Sequence, residues 1–385
     1  MPVDGRGGGP KGAAGAVREQ VERRPDGREV RYFWSDGGGA AGTGAGGVRP
    51  ASAVLVTGGA GYVAGPVVQR LAAAGLAVVV LDNLSTSSGR TLPAGVTLVR
   101  AEVGDAVALR EVFSRWRIEA VFHFAADSRV GESMQQPLAY FRHNVREPLV
   151  LLEQVVAAGC PPFVFSSSAA VYGVPEAVPV AEEAHLRPVN PYGETKAHFE
   201  RILHWTGLAH GLPWVALRYF NAAGADGPWE PKVPETHLIP NVLAAAAGGA
   251  PLRVFGSDYP TPDGTAVRDY VHVADLAEGH LAALRHLRAG GAGGPFNLGT
   301  GVGYSVAQVV AAVEAAVGRP VPREMAPRRA GDPPALVADP GRAQRVLGWR
   351  PRRSDLATIV RDAWTALQAA GAAAAAAARA GDTGR

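Results

Sequence analysis

This sequence predicts an α/β fold: a doubly wound parallel sheet with a smaller, loop-rich domain after it. Three observations carry the expectation. Short continuous apolar runs recur through the first half, "AVLVTGG", "AVVVLDN", "TLVRAEVGD", "AVFHFAA" and "PFVFSSS", with helix-like segments between them. Strands that are apolar throughout are buried on both faces, and their alternation with helices implies parallel strands joined by crossovers. The first run ends in glycines that open a helix, as nucleotide-binding sheets of the Rossmann type do. After residue 222 the texture changes, with prolines and turns in "GADGPWEPKVPETHLIP", "GSDYPTPDGT" and "APRRAGDPP".

The elements follow in order. Residues 1–50 are glycine-rich with mixed charge, and "GGGAAGTGAGG" reads as flexible linker, so a disordered extension is expected there. Residues 51–222 form the dinucleotide-binding domain: first strand, glycine loop, a helix from Val63 to Ala74, a second strand ending at Asp82, then three more strands. In "NPYGETKAHFE", Asn190 is a suitable N-cap and Pro191 suits the first turn of a helix. Residues 223–368 form the substrate domain, interleaved with the first at its boundary, and 369–385 are a low-complexity tail that can prolong a last helix.

Composition narrows the function. The 385 residues are 47% hydrophobic and 19% charged, which fits a globular enzyme with a sizeable core. A formal charge of +3 is too small to suggest a nucleic-acid partner. Cys160 is the sole cysteine, so neither an internal disulfide nor a cysteine metal cluster is expected. No stretch is apolar enough to span a bilayer, and the N-terminus lacks the apolar core of a secretory signal; a cytoplasmic location is the expectation.

In "TGGAGYVAG", Gly58 and Gly61 permit a tight turn and close approach of the backbone to a pyrophosphate, which the helix N-terminus then receives. Asp82, about 20 residues beyond the loop, suits the adenosine ribose hydroxyls, and its charge repels a 2′-phosphate, which favours NAD over NADP. Asp105, after the third strand, serves equally as an adenine contact or as a helix cap.

Tyr192 and Lys196 stand four apart on one helix face. Lysine is rare, with three in a chain whose Lys+Arg total is 38, yet one is kept at this position. A phenol ordinarily titrates near about 10 and is a poor base at neutral pH. A nearby ammonium, joined by the charge of an oxidised nicotinamide, favours the phenolate and prepares Tyr192 as a general base. Ser166, Ser167 and Ser168 end an apolar strand at the same cleft edge, where a hydroxyl can relay a proton to Tyr192.

The ordered set of the glycine loop, "LDNLSTSS", "FHFAA", "FSSSAAVYG", "NPYGETK", "RYFNAAGA", "DYPTPDGTAVRDYVHVADLAEGH", "FNLGTG" and "APRRAGDP" resembles the extended short-chain dehydrogenase/reductase family, specifically its UDP-sugar 4-epimerase branch, over about residues 52–365. The resemblance implies NAD-dependent interconversion of UDP-glucose and UDP-galactose, through C4 oxidation to a 4-keto sugar, its rotation and re-reduction. It assigns catalysis to Tyr192, Lys196 and Ser168. It places Gly58, Gly61, Tyr62, Val63, Asp82, Asn83, Leu84, Ser85, Thr86, Ser87, Asp105, Ala106, Phe124, Ala125, Ala126, Ser128, Asn144, Ser166 and Phe220 on NAD, with Tyr192 and Lys196. It places Ser168, Asn221, His237, Leu238, Arg253, Val254, Phe255, Arg268, Arg329, Asp332 and Leu336 on the UDP-sugar. A homodimer formed through helices of the nucleotide domain is implied as well.

The chain departs from the family pattern at several positions. Ala64 replaces a third loop glycine and Pro66 a histidine, while Asp127 and Ser128 replace a more apolar or lysine-bearing pair beside the cofactor. His143 stands where an asparagine often binds NAD. Leu336 replaces a large aromatic that limits sugar size in some members, so turnover of UDP-N-acetylglucosamine is expected. Other readings are a related 4-epimerase for UDP-xylose/arabinose or UDP-glucuronate, and a non-catalytic NAD-binding module. A 4,6-dehydratase needs an acid and base beside the hydroxyl, where this chain has Ala169 and Ala170.

Overall fold

A computed structural model describes residues 17–23, 29–35, 50–86, 92–227, 237–329 and 331–382. The order of elements is β1 (Val17–Arg23), β2 (Glu29–Ser35), β3 (Ala51–Thr57), α1 (Ala64–Ala73), β4 (Val78–Asp82), β5 (Thr97–Arg100), α2 (Ala106–Arg115), β6 (Trp116–His123), α3 (Val130–Gln135), α4 (Pro137–Phe141), a π-helical turn, α5 (Glu147–Ala157) and β7 (Phe163–Ser168). Then come a 3₁₀ turn over Ala169–Tyr172, α6 (Pro191–His210), β8 (Trp214–Tyr219), β9 (Asn221–Ala223), α7 (Leu238–Ala246), β10 (Leu252–Phe255), β11 (Val267–His272) and α8 (Val273–Arg288). The chain closes with β12 (Gly294–Leu298), β13 (Gly303–Ser305), α9 (Val306–Val317), β14 (Arg323–Ala326), β15 (Ala335–Leu336), α10 (Gly341–Val346) and α11 (Leu356–Asp382).

Seven strands run parallel in the order β5-β4-β3-β6-β7-β8-β12. Alternate residues of a strand face opposite sides of a sheet. Val54 and Val56 of β3 accordingly pack with Val67, Val68 and Leu71 of α1 and Leu276 and Leu284 of α8. Ala53 and Leu55 pack on the other face with Leu109 and Val112 of α2, Leu151 of α5 and Phe199 of α6. Both faces are covered, which is why these strands read as unbroken apolar runs. The strand order reverses between β3 and β6, and the crevice that opens there is where such sheets bind ligands.

The smaller lobe is built from α7, α9 and α11 around β10 and β11, with a core that includes Val242, Leu243, Val254, Val309, Val313, Ile359 and Val360. From this lobe α8 and β12 return to the main sheet.

Residues 17–23 and 29–35 differ from the expected disordered extension. β1 and β2 form an antiparallel hairpin, and β2 pairs antiparallel with β5, setting Tyr32 opposite Val99. Alone, β5 would leave a row of backbone donors and acceptors unpaired at the sheet edge. "EVRYFWS", rich in aromatic and β-branched residues, satisfies that edge through tertiary pairing that composition alone cannot reveal. The linker-like "GGGAAGTGAGG" lies outside the described residues. No helix among the described residues is long and apolar enough to cross a membrane.

Candidate active site

A cleft of about 1340 Å³ opens at the carboxyl ends of the parallel strands and continues under the smaller lobe. It exceeds the roughly 300–1,000 Å³ typical of a site for one drug-sized ligand, which suits two adjoining ligands.

At the first end, Gly58 has φ of +69°, and a Cβ there would stand 2.6 Å from the Ala125 nitrogen. Only glycine allows the β3 loop to pass so close to the loop after β6. Helix α1 has no side-chain cap, and its leading residues Gly61, Tyr62, Val63 and Ala64 border the cleft. That arrangement receives an anionic pyrophosphate. Asp82 lies at the end of β4, where its carboxylate accepts from the Ala60 and Leu84 amides at 3.0 and 2.8 Å and so ties the glycine loop to the next strand. Asn83, Ser85 and Thr86 continue the lining. These residues fit a dinucleotide.

Some residues expected on the cofactor do not border the cleft. Asp105 caps α2, accepting from the Val107 and Ala108 amides at 3.0 and 3.1 Å, so the cap reading holds; Ala101, Glu102 and Val103 border the cleft, whereas Asp105 and Ala106 do not. Leu84 turns in the left-handed region, at φ 61°, to give its amide to Asp82, and it does not line the cleft. Asn144 is buried and spends its amide on the loop wall: Oδ1 accepts from the Asp127 amide, while Nδ2 donates to the Asp127 carbonyl and to Thr195. Its neighbour His143 faces the cleft, with Nδ1 2.6 Å from the Asp127 carboxylate. Ser87 lies outside the described residues.

The centre holds the proton chemistry. Asn190 caps α6 by accepting from the Gly193 amide at 2.8 Å, with Pro191 in the first turn, as expected. Tyr192 and Lys196 both face the cleft, alongside Phe124, Ala125, Ala126, Ser128, Ser166, Ser168 and Phe220. Ser168 accepts from the Ala170 amide at 3.1 Å and lines the cleft together with Tyr192. Lys196 Nζ donates to the Ser166 carbonyl at 2.8 Å.

The electrostatic balance differs from the expected one. Burial raises the Tyr192 phenol above its ordinary value, and the Ser168 hydrogen bond opposes this. Burial likewise pulls Lys196 down to about 7, with the Glu200 charge opposing. Lys196 Nζ stands 5.8 Å from the Tyr192 ring centre and is engaged with a carbonyl, so desolvation outweighs the ammonium's pull on the phenol. Forming the phenolate therefore needs a further positive charge in the cleft.

The far end gathers charge and aromatic surface. Arg253 and Arg329 both pack on the Phe255 ring, at 5.2 and 4.0 Å from its centre, and Arg268 is ion-paired with Asp332. Asn221, His237, Leu238, Val254 and Leu336 complete the lining. Arg328 turns outward to Asp258 and the Tyr259 ring, so the adjacent arginines divide between the cleft and the surface.

A family model described as "NAD dependent epimerase/dehydratase family" matches residues 54–299. The chain belongs to that family. A UDP-glucose 4-epimerase of Streptomyces lividans is 50% identical over 313 residues, 80% of this chain and 94% of that protein. The crystal structure of UDP-glucose 4-epimerase from Brucella ovis in complex with NAD superposes with a TM-score of 0.79 at 45% identity, covering 82% of this chain and 98% of the other. The Bifidobacterium longum enzyme in complex with NAD+ and UDP gives a TM-score of 0.75 at 36% identity, over 83% and 98%. The β1–β2 hairpin precedes the part that matches the epimerase/dehydratase family.

Beneath the centre of this family member lie residues that the sequence alone did not single out. Glu200 and Arg218 form a buried ion pair at 2.6 Å, and Ser167 donates to Glu200 at 2.5 Å. The signal was present: an arginine inside "WVALRYF" must find a partner, and Glu200 follows Lys196 by one more helical turn. Gly193 also gave no sign of its role. Here α6 comes so close to the 3₁₀ turn that a Cβ would lie 2.5 Å from the Ala170 carbonyl oxygen. Gly193→Ala is therefore expected to push Tyr192 away from Ser168 and lower kcat at least about tenfold, because small misplacements of reacting groups are costly. Steady-state kinetics checks this.

Two buried imidazoles add a pH dependence. Burial pushes His123 down to about 3 and His280 to about 4. The unfolded chain protonates them near about 6.5, so stability present above that pH is lost on acidification, by up to about 1.4 kcal/mol per pH unit for each. Urea unfolding between about pH 7 and pH 5 should show a shallower slope in His280→Gln than in the wild type, by one imidazole's share.

Proposed function

We propose that this chain is an NAD-dependent epimerase that interconverts UDP-glucose and UDP-galactose at C4. The observation that carries the reading is the place of Tyr192, Ser168 and Lys196: between a dinucleotide cradle at one end of the cleft and an arginine-lined pocket at the other. Bound NAD supplies a hydride acceptor that returns the same hydrogen to C4. Tyr192 takes the proton of the sugar 4-hydroxyl, with Ser168 in the hydrogen-bond path, and returns it to the same oxygen after the 4-keto sugar has turned to receive hydride on its other face. Lys196 holds the end of β7 through the Ser166 carbonyl and adds positive charge near the phenol. Arg268 and Arg329 suit the diphosphate, because a guanidinium can bond two phosphate oxygens at once. Ala169 and Ala170 beside the serines transfer no protons, which speaks against elimination of water.

Purified protein given UDP-galactose without added cofactor is expected to form UDP-glucose, followed by proton NMR of the sugar. No conversion, with or without added NAD, would reject the reading.

Leu336 borders the sugar end without filling it, so UDP-N-acetylglucosamine is expected to turn over too; robust UDP-galactose activity beside none on the acetylated sugar would reject that extension. A homodimer is favoured by the exposed Trp205 and Leu208, three apart on α6, and by Leu138 of α4 and Leu149 of α5. A nucleotide-sugar substrate supports a cytoplasmic location.

A further inference from the structure

Behind the glycine loop a chain of ion pairs joins the two lobes. Asp226, just after β9, accepts from Arg70 of α1 on one carboxylate oxygen at 2.7 Å. On its other oxygen it accepts from Arg353, ahead of α11, at 3.2 Å. One carboxylate thus serves an arginine from each lobe. Arg353 also donates to Asp362 of α11 at 2.8 Å, and Asp362 stands 3.3 Å from Nε2 of the buried His272 at the end of β11. The Nδ1 atom of His272 accepts from the Ala274 amide, so Nε2 carries the proton and presents it toward Asp362.

This chain of charges adjoins the cofactor cradle. Two residues before Asp226, the Gly224 carbonyl accepts from the Tyr62 hydroxyl at 2.6 Å, and both Gly224 and Tyr62 border the cleft. Tyr62 also packs against Ala225 and against Ala366 of α11, one helical turn beyond Asp362. Gly224, at φ +77°, lies so close to the His272 ring that a Cβ would have no room. Residues 224–226 are therefore seated on β11 at one end and gripped by two guanidiniums at the other, with Tyr62 of the glycine loop tied between.

We propose that Asp226 is a positioning residue for the NAD cradle: by joining Arg70 to Arg353 it fixes residues 224–226, and through the Gly224 carbonyl it sets Tyr62 and the head of α1 against the dinucleotide. The inference concerns how NAD is kept, and it rests on the dinucleotide cradle, not on the identity of the sugar. Without the carboxylate charge, two partly buried guanidiniums lose their shared counter-ion, residues 224–226 shift, and Tyr62 loses a fixed acceptor. Loosening of one site shows chiefly in the rate at which its ligand leaves.

The test therefore reads release of NAD. The full chain is saturated with NAD labelled in its adenine, diluted into excess unlabelled NAD, and the label still bound is counted after rapid filtration. Asp226→Asn, which keeps the shape and removes the charge, should release label at least about tenfold faster than the wild type. Tyr62→Phe, which keeps the ring and removes only the hydroxyl, should release it faster as well. The double variant should release it no faster than the quicker of the two, because both cut one connection. Glu278→Gln removes the other acid that Arg70 binds, at 2.8 Å on α8, without touching residues 224–226, and should release label at the wild-type rate. Release from Asp226→Asn within about twofold of wild type would overturn the proposal, as would equal acceleration in Glu278→Gln or full additivity in the double variant. Wild-type release from Tyr62→Phe would overturn it even if Asp226→Asn did not fold. Failure of the epimerase reading would show as absent sugar conversion and would leave these release rates unchanged.

Discussion

Tyr192→Phe should abolish nearly all turnover, lowering kcat by about 10²–10⁴-fold, the usual worth of a positioned acid–base group. The ring stays and only the oxygen goes. Retained dinucleotide, measured by absorbance after denaturation, should match the wild type, and so should the thermal midpoint, because the ring stays in place in the cleft lining. KM should change little, since a group used to move a proton stabilises the transition state more than the bound sugar. Burial raises the phenol, so the wild-type rate should fall on the acid side as Tyr192 holds its proton, and that limb should be missing from the residual Tyr192→Phe rate. A Tyr192→Phe variant with full kcat would remove the phenol from the chemistry.

Glu200→Ala should cost about 3–5 kcal/mol of stability, because it leaves a buried guanidinium without its counter-charge. Arg218 is 3% exposed and Glu200 5%, too enclosed for water to compensate either. Arg218 donates to both Glu200 oxygens, at 2.6 to 3.2 Å, and also to the Tyr172 hydroxyl and the Glu182 carbonyl. Tyr172 passes the line to Asn297 on β12, so the pair ties α6, β7, β8 and β12 together under the serine segment. Domains of ordinary stability hold about 5–15 kcal/mol in all, so the variant should unfold at a much lower urea concentration. Replacing both partners, Glu200→Met with Arg218→Met, should recover a large part of the loss, since the cost lies in the uncompensated charge. Equal loss in the single and the double variant would show that the pair matters through its shape instead.

What could be read from the sequence was local or periodic. The strand runs, the glycine loop, the Asn190 cap and the four-residue spacing of Tyr192 and Lys196 depend on neighbours within one element, and each stands where it was expected. What could not be read concerns partners distant in sequence. Asp105 looked equally able to bind or to cap because only the fold decides where its carboxylate points. Asn144 is one residue from His143, yet the helical turn between them sends one into the wall and the other to the cleft. The balance between desolvation and the ammonium at Tyr192 needed burial, which spacing does not supply. The β1–β2 hairpin depends on an edge offered by β5, far later in the chain.

The most direct measurement follows the hydrogen on C4. UDP-galactose deuterated at C4 is incubated with the purified protein in ordinary water, with no cofactor added. The proposed hydride transfer predicts UDP-glucose with deuterium retained at C4, because hydrogen carried as hydride and held on carbon does not exchange with water. UDP-glucose carrying solvent hydrogen at C4 would contradict it.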